Sequence, residues 1–139
     1  MTELINLNKL GVAKGTVVEQ AVEGNFKGET AEVGLYLAMA RQAQREGFPE
    51  IAEVLKSIAW EEAWHGARYA ELAGRISEST KKNLEKMLAG EIGANIGKRQ
   101  AAVQAKKAGI DEAHDAFDES SKDEARHAEA LRGLLARYF

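Results

Sequence analysis

The chain has 139 residues, which is enough for one domain with a single apolar core. A net charge of −3 with both signs interspersed disfavours nucleic acid as a partner, and the lack of cysteine excludes disulfides, thiolate zinc sites and iron–sulfur centres held by these residues. One proline, few aromatic residues and abundant Ala, Glu, Lys, Leu and Arg favour an all-α fold.

Four helices are predicted, separated by breaks that contain Gly47, Gly74 and Gly109. Pro49 suits the first turn of the second helix, and Ser79 or Thr80 can cap the third. Thr16 is the expected N-cap of the first. The predicted helices cover about residues 16–46, 48–73, 80–107 and 111–136.

The beginning of the chain lacks the pattern of a signal peptide. A basic segment followed by an apolar run is missing from residues 1–15, and no stretch approaches membrane-spanning length. We therefore expect a soluble, cytoplasmic protein with no membrane partner. Residues 1–15 are interpreted only as an arm or loop.

The sequence repeats itself with an offset of 62 residues. Gly28-Glu29 aligns with Gly90-Glu91, and Glu62-Ala63-x-His65 aligns with Glu124-Ala125-x-His127, without a gap. The chain is therefore predicted to be one domain (residues 1–139) made of two copies of a helical hairpin, at about residues 16–74 and 80–137.

The predicted buried seam of each helix carries carboxylates. On the second helix, apolar positions beginning at Ile51 recur in steps of three and four, and the same stepping reaches Glu62 and His65. The fourth helix repeats the pattern at Glu124 and His127. The seam carboxylates of the first and third helices are Glu29, Glu32 and Glu91.

Carboxylates in one apolar layer need positive charge, since each unpaired buried ion costs several kcal/mol. Lys98 could offset one charge, whereas two divalent cations could offset four. Residues three apart on a helix share a face, so one metal ion can bind both members of a Glu-x-x-His pair. One Glu from each of two helices and Glu-x-x-His from each of the other two is the known ligand pattern of ferritin-like dinuclear carboxylate bundles. Such oxygen-rich ligation favours iron, or else manganese, over zinc or copper.

At these motifs the sequence resembles the rubrerythrin family, over about residues 16–139. The resemblance is carried by "GETAEVGLYLAMARQAQREGFPEIAEVLKSIAWEEAWHGARY", "GEIGAN" and "DEARHAEAL". It implies a ferritin-like four-helix bundle with a di-iron centre of two iron ions, and Tyr36 beside a ligand carboxylate. The implied iron ligands are Glu29, Glu62, His65, Glu91, Glu124 and His127.

Two departures from the family pattern are visible. Rubrerythrins carry an additional Glu three residues after the third-helix ligand, but Ala94 stands at that distance from Glu91, and Glu32 instead follows Glu29. We therefore expect Glu32 to be a further metal ligand and, with Glu29 and Tyr36, to belong to the catalytic group. The rubredoxin-like domain of the family, with its four cysteines, is also missing, so we expect a separate electron donor such as a rubredoxin.

Two further residues have more than one interpretation. Lys98 falls at the repeat position of Tyr36 and could pair with Glu32 or with a ligand, or extend toward solvent. His114 has no counterpart in the first repeat and is expected to be exposed.

Assembly is predicted from the length of the second linker. In a ferritin-like bundle the second and third helices run parallel, but a linker of five residues reaches only about 17 Å and the second helix is about 39 Å long. Either the third helix turns back, or the second hairpin packs against the first hairpin of another chain. We expect the second arrangement, a domain-swapped homodimer.

The resemblance implies an enzyme, a non-haem di-iron oxidoreductase that reduces hydrogen peroxide and protects against oxidative stress. The alternative is a ferroxidase or iron-handling protein that oxidises iron with dioxygen or peroxide. A metal-free structural bundle is disfavoured by the carboxylates on the seams.

Overall fold

The structure, a computed structural model, describes residues 9–139, and this part of the chain contains four α-helices and no strand. α1 packs against α2 to form hairpin 1, and α3 packs against α4 to form hairpin 2. The chain divides into two compact units at the boundary between Glu78 and Ser79. The predicted all-α class is confirmed, and the four helices are consistent with a ferritin-like four-helix bundle. The helices are α1 (Glu19–Arg45), α2 (Pro49–Leu72), α3 (Thr80–Lys107) and α4 (Asp111–Tyr138).

The ends of the helices follow local chemistry, and two of them differ from prediction. Gly47 and Gly109 adopt φ values of 85° and 72°, which terminate α1 and α3 as predicted. The Ser79 hydroxyl accepts a hydrogen bond from the Lys82 amide at 3.3 Å, so Ser79 caps α3. α1 begins three residues later than predicted because Thr16 uses its hydroxyl in the preceding turn, where it donates to the Ala13 carbonyl at 2.7 Å. α4 continues two residues beyond its predicted end.

Small residues are buried where α1 and α2 of hairpin 1 pack together. Ala52, Ala59 and Gly66 recur every seven residues on α2 and are buried. Ala40 and Ala43 of α1 form a cluster with Ala52. Larger apolar side chains remain exposed, and these include Leu35 at 62%, Met39 at 52% and Ile51 at 52%. The apolar seam predicted from periodicity is therefore only partly buried among the described residues.

Hairpin 2 is joined by polar contacts as well as by small residues. The Asn95 side-chain amide donates to the Ser121 carbonyl at 2.7 Å, and Arg99 Nη1 lies 2.6 Å from Asp118 Oδ1. His114 Nδ1 lies 2.9 Å from the Ala102 carbonyl oxygen and is half-buried. The expectation that His114 is exposed is therefore wrong, because its ring reaches across to α3.

Asp118 gives hairpin 2 a testable pH dependence. The pKa of Asp118 is lowered from its ordinary value of 3.8, first by the hydrogen bond from Lys122 and also by the charges of Lys122, Arg99 and His114, while burial opposes the shift. An acid with a lowered folded pKa contributes stability above its unfolded pKa and loses it as the pH falls through the folded pKa. Asp118→Asn should therefore lower the urea midpoint at pH 7, and the difference from wild type should shrink below pH 3.8.

The matched control for this experiment is Asp123→Asn. Asp123 pairs with Arg126 within α4, so it does not connect the two helices of hairpin 2. We expect this variant to have nearly the wild-type midpoint at both pH values. Equal midpoints for Asp118→Asn and wild type at pH 7 would show that Asp118 does not stabilise hairpin 2.

Residues 9–15 belong to the segment that is predicted to be an arm or loop. In the structure they cap the C-terminal end of α2. The Gly11 amide donates to the Glu71 carbonyl at 2.8 Å, and the Ala13 amide donates to the Leu72 carbonyl at 3.1 Å. These bonds satisfy carbonyls that the helix itself leaves without partners. Ala13 is buried in a cluster with Val22. Residues 1–8 lie outside the described part of the chain.

Gly74, which follows α2, packs closely against this arm. Its φ is +63°, and a Cβ atom there would lie 2.9 Å from the Gly11 Cα atom and 3.0 Å from Lys14 Cε. Gly74→Ala should therefore lower the free energy of unfolding by about 1–3 kcal/mol, measured by urea denaturation. Gly15→Ala is the control, since Gly15 also has a positive φ but nothing lies within 4 Å of the added Cβ. A smaller loss for Gly74→Ala than for Gly15→Ala would contradict close packing of the arm.

None of the described helices has a stretch that is both long enough and apolar enough to span a bilayer.

Candidate metal centre

Each hairpin brings together two glutamates and one histidine. Half-site 1 consists of Glu29 from α1 and of Glu62 and His65 from α2. His65 Nδ1 lies 2.9 Å from Glu62 Oε2 and 3.5 Å from Glu29 Oε2. One ligand atom from each residue can be chosen so that all three lie within 4.8 Å of one another. The Glu-x-x-His spacing thus places both side chains of α2 beside the glutamate of α1.

Half-site 2 reproduces this geometry 62 residues later. It consists of Glu91 from α3 and of Glu124 and His127 from α4. His127 Nδ1 lies 3.1 Å from Glu124 Oε2 and 3.4 Å from Glu91 Oε2. The repeat found in the sequence is therefore a repeat of side-chain geometry as well.

The carboxylates lie between the helices, whereas the imidazoles are more exposed. The side chains of Glu62 and Glu124 are 17% and 13% exposed, compared with 57% for His65 and 58% for His127. Carboxylates that are largely removed from water repel one another unless a proton or a cation lies between them. Both half-sites show how this charge is balanced.

In half-site 1 the neighbouring carboxylates favour a proton on Glu29. The pKa of Glu29 is raised, first by its hydrogen bond to Glu62 and also by burial and by the negative charge of Glu62. The pKa of Glu62 is lowered because it accepts hydrogen bonds from Glu29 and from His65. The hydrogen bond to Glu62 also raises the pKa of His65. Glu29 therefore holds a proton more readily than an ordinary glutamate does.

In half-site 2 the charge is balanced by a lysine. Lys98 Nζ donates to Glu124 Oε1. Glu91 Oε2 is buried and has no hydrogen-bond partner among the described residues, although His127 Nδ1 is 3.4 Å away. A buried carboxylate oxygen without a donor is unusual, because it loses its hydration without compensation.

Both donor sets fit a divalent metal ion. Bonds of carboxylate oxygen and imidazole nitrogen to such an ion are about 2.0–2.2 Å long, so ligand atoms on one ion lie within about 4.4 Å of one another. The ligand atoms of each half-site lie within 4.8 Å of one another, so small side-chain adjustments would satisfy this limit. An ion there would also give Glu91 Oε2 the positive partner that it lacks.

The other predicted site residues lie near half-site 1 but outside its group of three. Glu32 is exposed, and its charge contributes to the raised pKa of Glu29. Tyr36 is half-buried and makes no hydrogen bond to a ligand carboxylate within residues 9–139. Their roles as a metal ligand and as a hydrogen-bond donor stay predictions.

The sequence offered a metal ligand as one of the possible partners of Lys98 but did not indicate which ligand. Lys98 aligns with Tyr36 in the sequence repeat. This alignment indicated a role near the site, with Glu32 or a ligand as the partner. The structure pairs it with Glu124 across hairpin 2. The missing information was the register of α3 against α4, which fixes which side chains meet.

Comparison with known proteins agrees with this geometry. The family model described as rubrerythrin matches residues 20–135. An uncharacterized protein of Methanocaldococcus jannaschii is 64% identical over 137 residues, which cover 99% of this chain and 97% of that protein. Reverse rubrerythrin-1 of Clostridium acetobutylicum is 54% identical over 136 residues, which cover 95% of this chain and 75% of that protein. The resemblance seen in the motifs is confirmed, and the chain belongs to the rubrerythrin family.

Proposed function

We propose that this protein is a non-haem di-iron peroxidase that reduces hydrogen peroxide and protects the cell against oxidative stress. The observation that carries the proposal is the repeated group of two glutamates and one histidine, once in each hairpin. Membership of the rubrerythrin family supports iron as the metal, and manganese is the alternative that the same oxygen-rich ligands would accept.

The two half-sites would hold the two iron ions. Bound in the ferrous state, the pair would supply the two electrons that cleave the O–O bond of hydrogen peroxide, while two protons complete two water molecules. Glu62 and Glu124 orient His65 and His127 through their hydrogen bonds. Because a glutamate bound to iron is ionised, the protons would come from a glutamate outside the ligand set or from water.

Glu32 and Tyr36 are proposed to act beside half-site 1. Glu32 follows Glu29 by one helical turn, so a small movement of its side chain would bring a further carboxylate to the metal as the charge of the iron changes. Tyr36 lies two turns from Glu29 on α1, where its hydroxyl can fix the orientation of a ligand carboxylate.

Electrons are proposed to come from a separate protein. A rubredoxin-type iron site requires four cysteine thiolates, and these 139 residues contain none. An external donor such as a rubredoxin would therefore reduce the iron pair after each turnover.

The experiment that tests this function is anaerobic mixing of the ferrous protein with peroxide and, separately, with oxygen. The reaction is followed by optical absorption, and the iron content is measured afterwards. We expect rapid oxidation by one peroxide per iron pair, slower oxidation by oxygen, and full retention of iron. Faster oxidation by oxygen, or uptake of further iron, would instead support a ferroxidase or iron-handling protein.

We further propose that the complete centre forms in a domain-swapped homodimer. The Arg75 amide is still bonded to the Ala70 carbonyl of α2, so only residues 76–79 lead to Thr80. Five steps from Arg75 to Thr80 reach about 17 Å, whereas the 24 residues of α2 are about 36 Å long. A parallel α3 of the same chain cannot be reached over that distance, so hairpin 2 of a second chain would complete the bundle. The exposed Leu35, Met39 and Ile51 of hairpin 1 are the apolar surface that such packing would cover.

A further inference from the structure

The two half-sites differ at one charged residue. Lys98 of α3 donates a hydrogen bond to Glu124, whereas Tyr36 occupies the corresponding repeat position on α1. We propose that Lys98 is an internal cation that competes with a metal ion for Glu124, so that half-site 2 binds a divalent metal more weakly than half-site 1 and fills second. This inference rests on the metal centre proposed above.

Both oxygens of Glu124 are engaged without a metal. Oε1 accepts a hydrogen bond from Lys98 Nζ, and Oε2 lies 3.1 Å from His127 Nδ1. The side chains of Lys98 and Glu124 are 34% and 13% exposed, so water screens their attraction less than it would at the surface. A metal ion that binds Glu124 must either displace the ammonium group or share the carboxylate with it.

Half-site 1 holds no corresponding cation among the described residues. The hydrogen-bond partners of Glu62 are Glu29 and His65, which are themselves proposed ligands. Binding a metal there releases the proton that Glu29 and Glu62 share and rearranges contacts between ligands, but it displaces no charged side chain. Tyr36 stands at the counterpart of Lys98 and has no ammonium group, so no such cation repels an incoming divalent ion from that position.

The charges of the two half-sites indicate which of them binds a divalent ion more tightly. Metal ligands bind as ionised carboxylates and neutral imidazoles. With both carboxylates ionised, half-site 1 therefore presents two negative charges to the metal. In half-site 2 the ammonium of Lys98 cancels one of the two. The attraction for a divalent ion is weaker there, while Lys98 stabilises half-site 2 when no metal is bound.

Titration of the metal-free protein with Mn²⁺ under anaerobic conditions tests the proposal. Calorimetry and the electron paramagnetic resonance signal of free Mn²⁺ report the number of bound ions and their affinities, with no need for turnover. Wild type should show a tight and a weak class of site. Lys98→Met should strengthen the weak class by about tenfold or more, because a unit positive charge beside the metal is removed.

Thermal unfolding provides a second readout that a purely structural lysine would not produce. Without metal, Lys98→Met should melt below wild type, because Glu124 loses its cation, and saturating Mn²⁺ should remove most of this difference. Lys98→Arg keeps the charge and should keep weak binding at half-site 2. Lys106→Met is the matched control, since Lys106 lies on the same helix and pairs with the exposed Asp111.

The possible results separate the two proposals. Two bound Mn²⁺ ions in wild type with unchanged affinities in Lys98→Met would overturn the role of Lys98 and leave the metal centre intact. No Mn²⁺ binding by wild type would overturn both. Equal losses of melting temperature with and without metal would assign Lys98 to the structure of hairpin 2 alone.

Discussion

His65→Ala should abolish tight binding of a metal pair, and Glu124→Ala should do the same from the other hairpin. Each variant removes one of the three proposed ligands of a half-site. Even residues that only support a ligand change metal affinity by about 10–100-fold, so loss of a ligand should weaken binding by at least about 100-fold. Iron or manganese content after dialysis, determined by mass spectrometry, measures the effect.

The chain offers a matched control for the loss of an imidazole. His114 is the remaining histidine, and it bonds to the Ala102 carbonyl on α3 outside both half-sites. His114→Ala should keep two metal ions per pair of half-sites, even though the variant loses some stability. Unchanged metal content in both His65→Ala and Glu124→Ala would remove the assignment of the ligands.

A longer linker between the hairpins should convert the proposed domain-swapped dimer into a monomer. Wild type should have a mass of about 30 kDa by light scattering, twice the 15.2 kDa of one chain. Inserting about 30 Gly and Ser residues between Ile76 and Ser77 gives a root-mean-square reach of about 30 Å. The hairpins of one chain could then pair with each other, because tethering gives them a local concentration of about 1 mM.

The control for the linker experiment is the same insertion after Gly47, in the turn between α1 and α2. That turn connects two helices that already pack together, so the dimer should persist. A wild-type protein that is monomeric in light scattering would contradict the swapped arrangement. A lengthened variant that stays dimeric would show that the linker does not determine the assembly.

Features that depend on local chemistry or on the repeat could be read from the sequence. Ser79, one of the two predicted caps of α3, could be found because its side chain bonds to the backbone of its own turn. The spacing between Glu62 and His65 could be converted to geometry because both lie on one helix, and the offset of 62 residues carried that geometry to Glu124 and His127.

Features that depend on how two elements pack could not be read in the same way. The partner of Lys98 depends on the register between α3 and α4, and so does the contact of His114 with Ala102. The capping of α2 by residues 9–15 involves backbone amides of Gly11 and Ala13, which leave no pattern in the side chains. Periodicity also overstated burial, since Met39 and Ile51, which lie on the predicted seam of hairpin 1, stay exposed.

Anomalous diffraction at the iron absorption edge from crystals of the iron-loaded protein would show whether one half-site of each kind combines into a single dinuclear centre, as we propose. We expect two iron peaks about 3.5–4 Å apart, one beside His65 and the other beside His127. Iron peaks far from each other, or away from Glu29, Glu62, Glu91 and Glu124, would contradict this proposal.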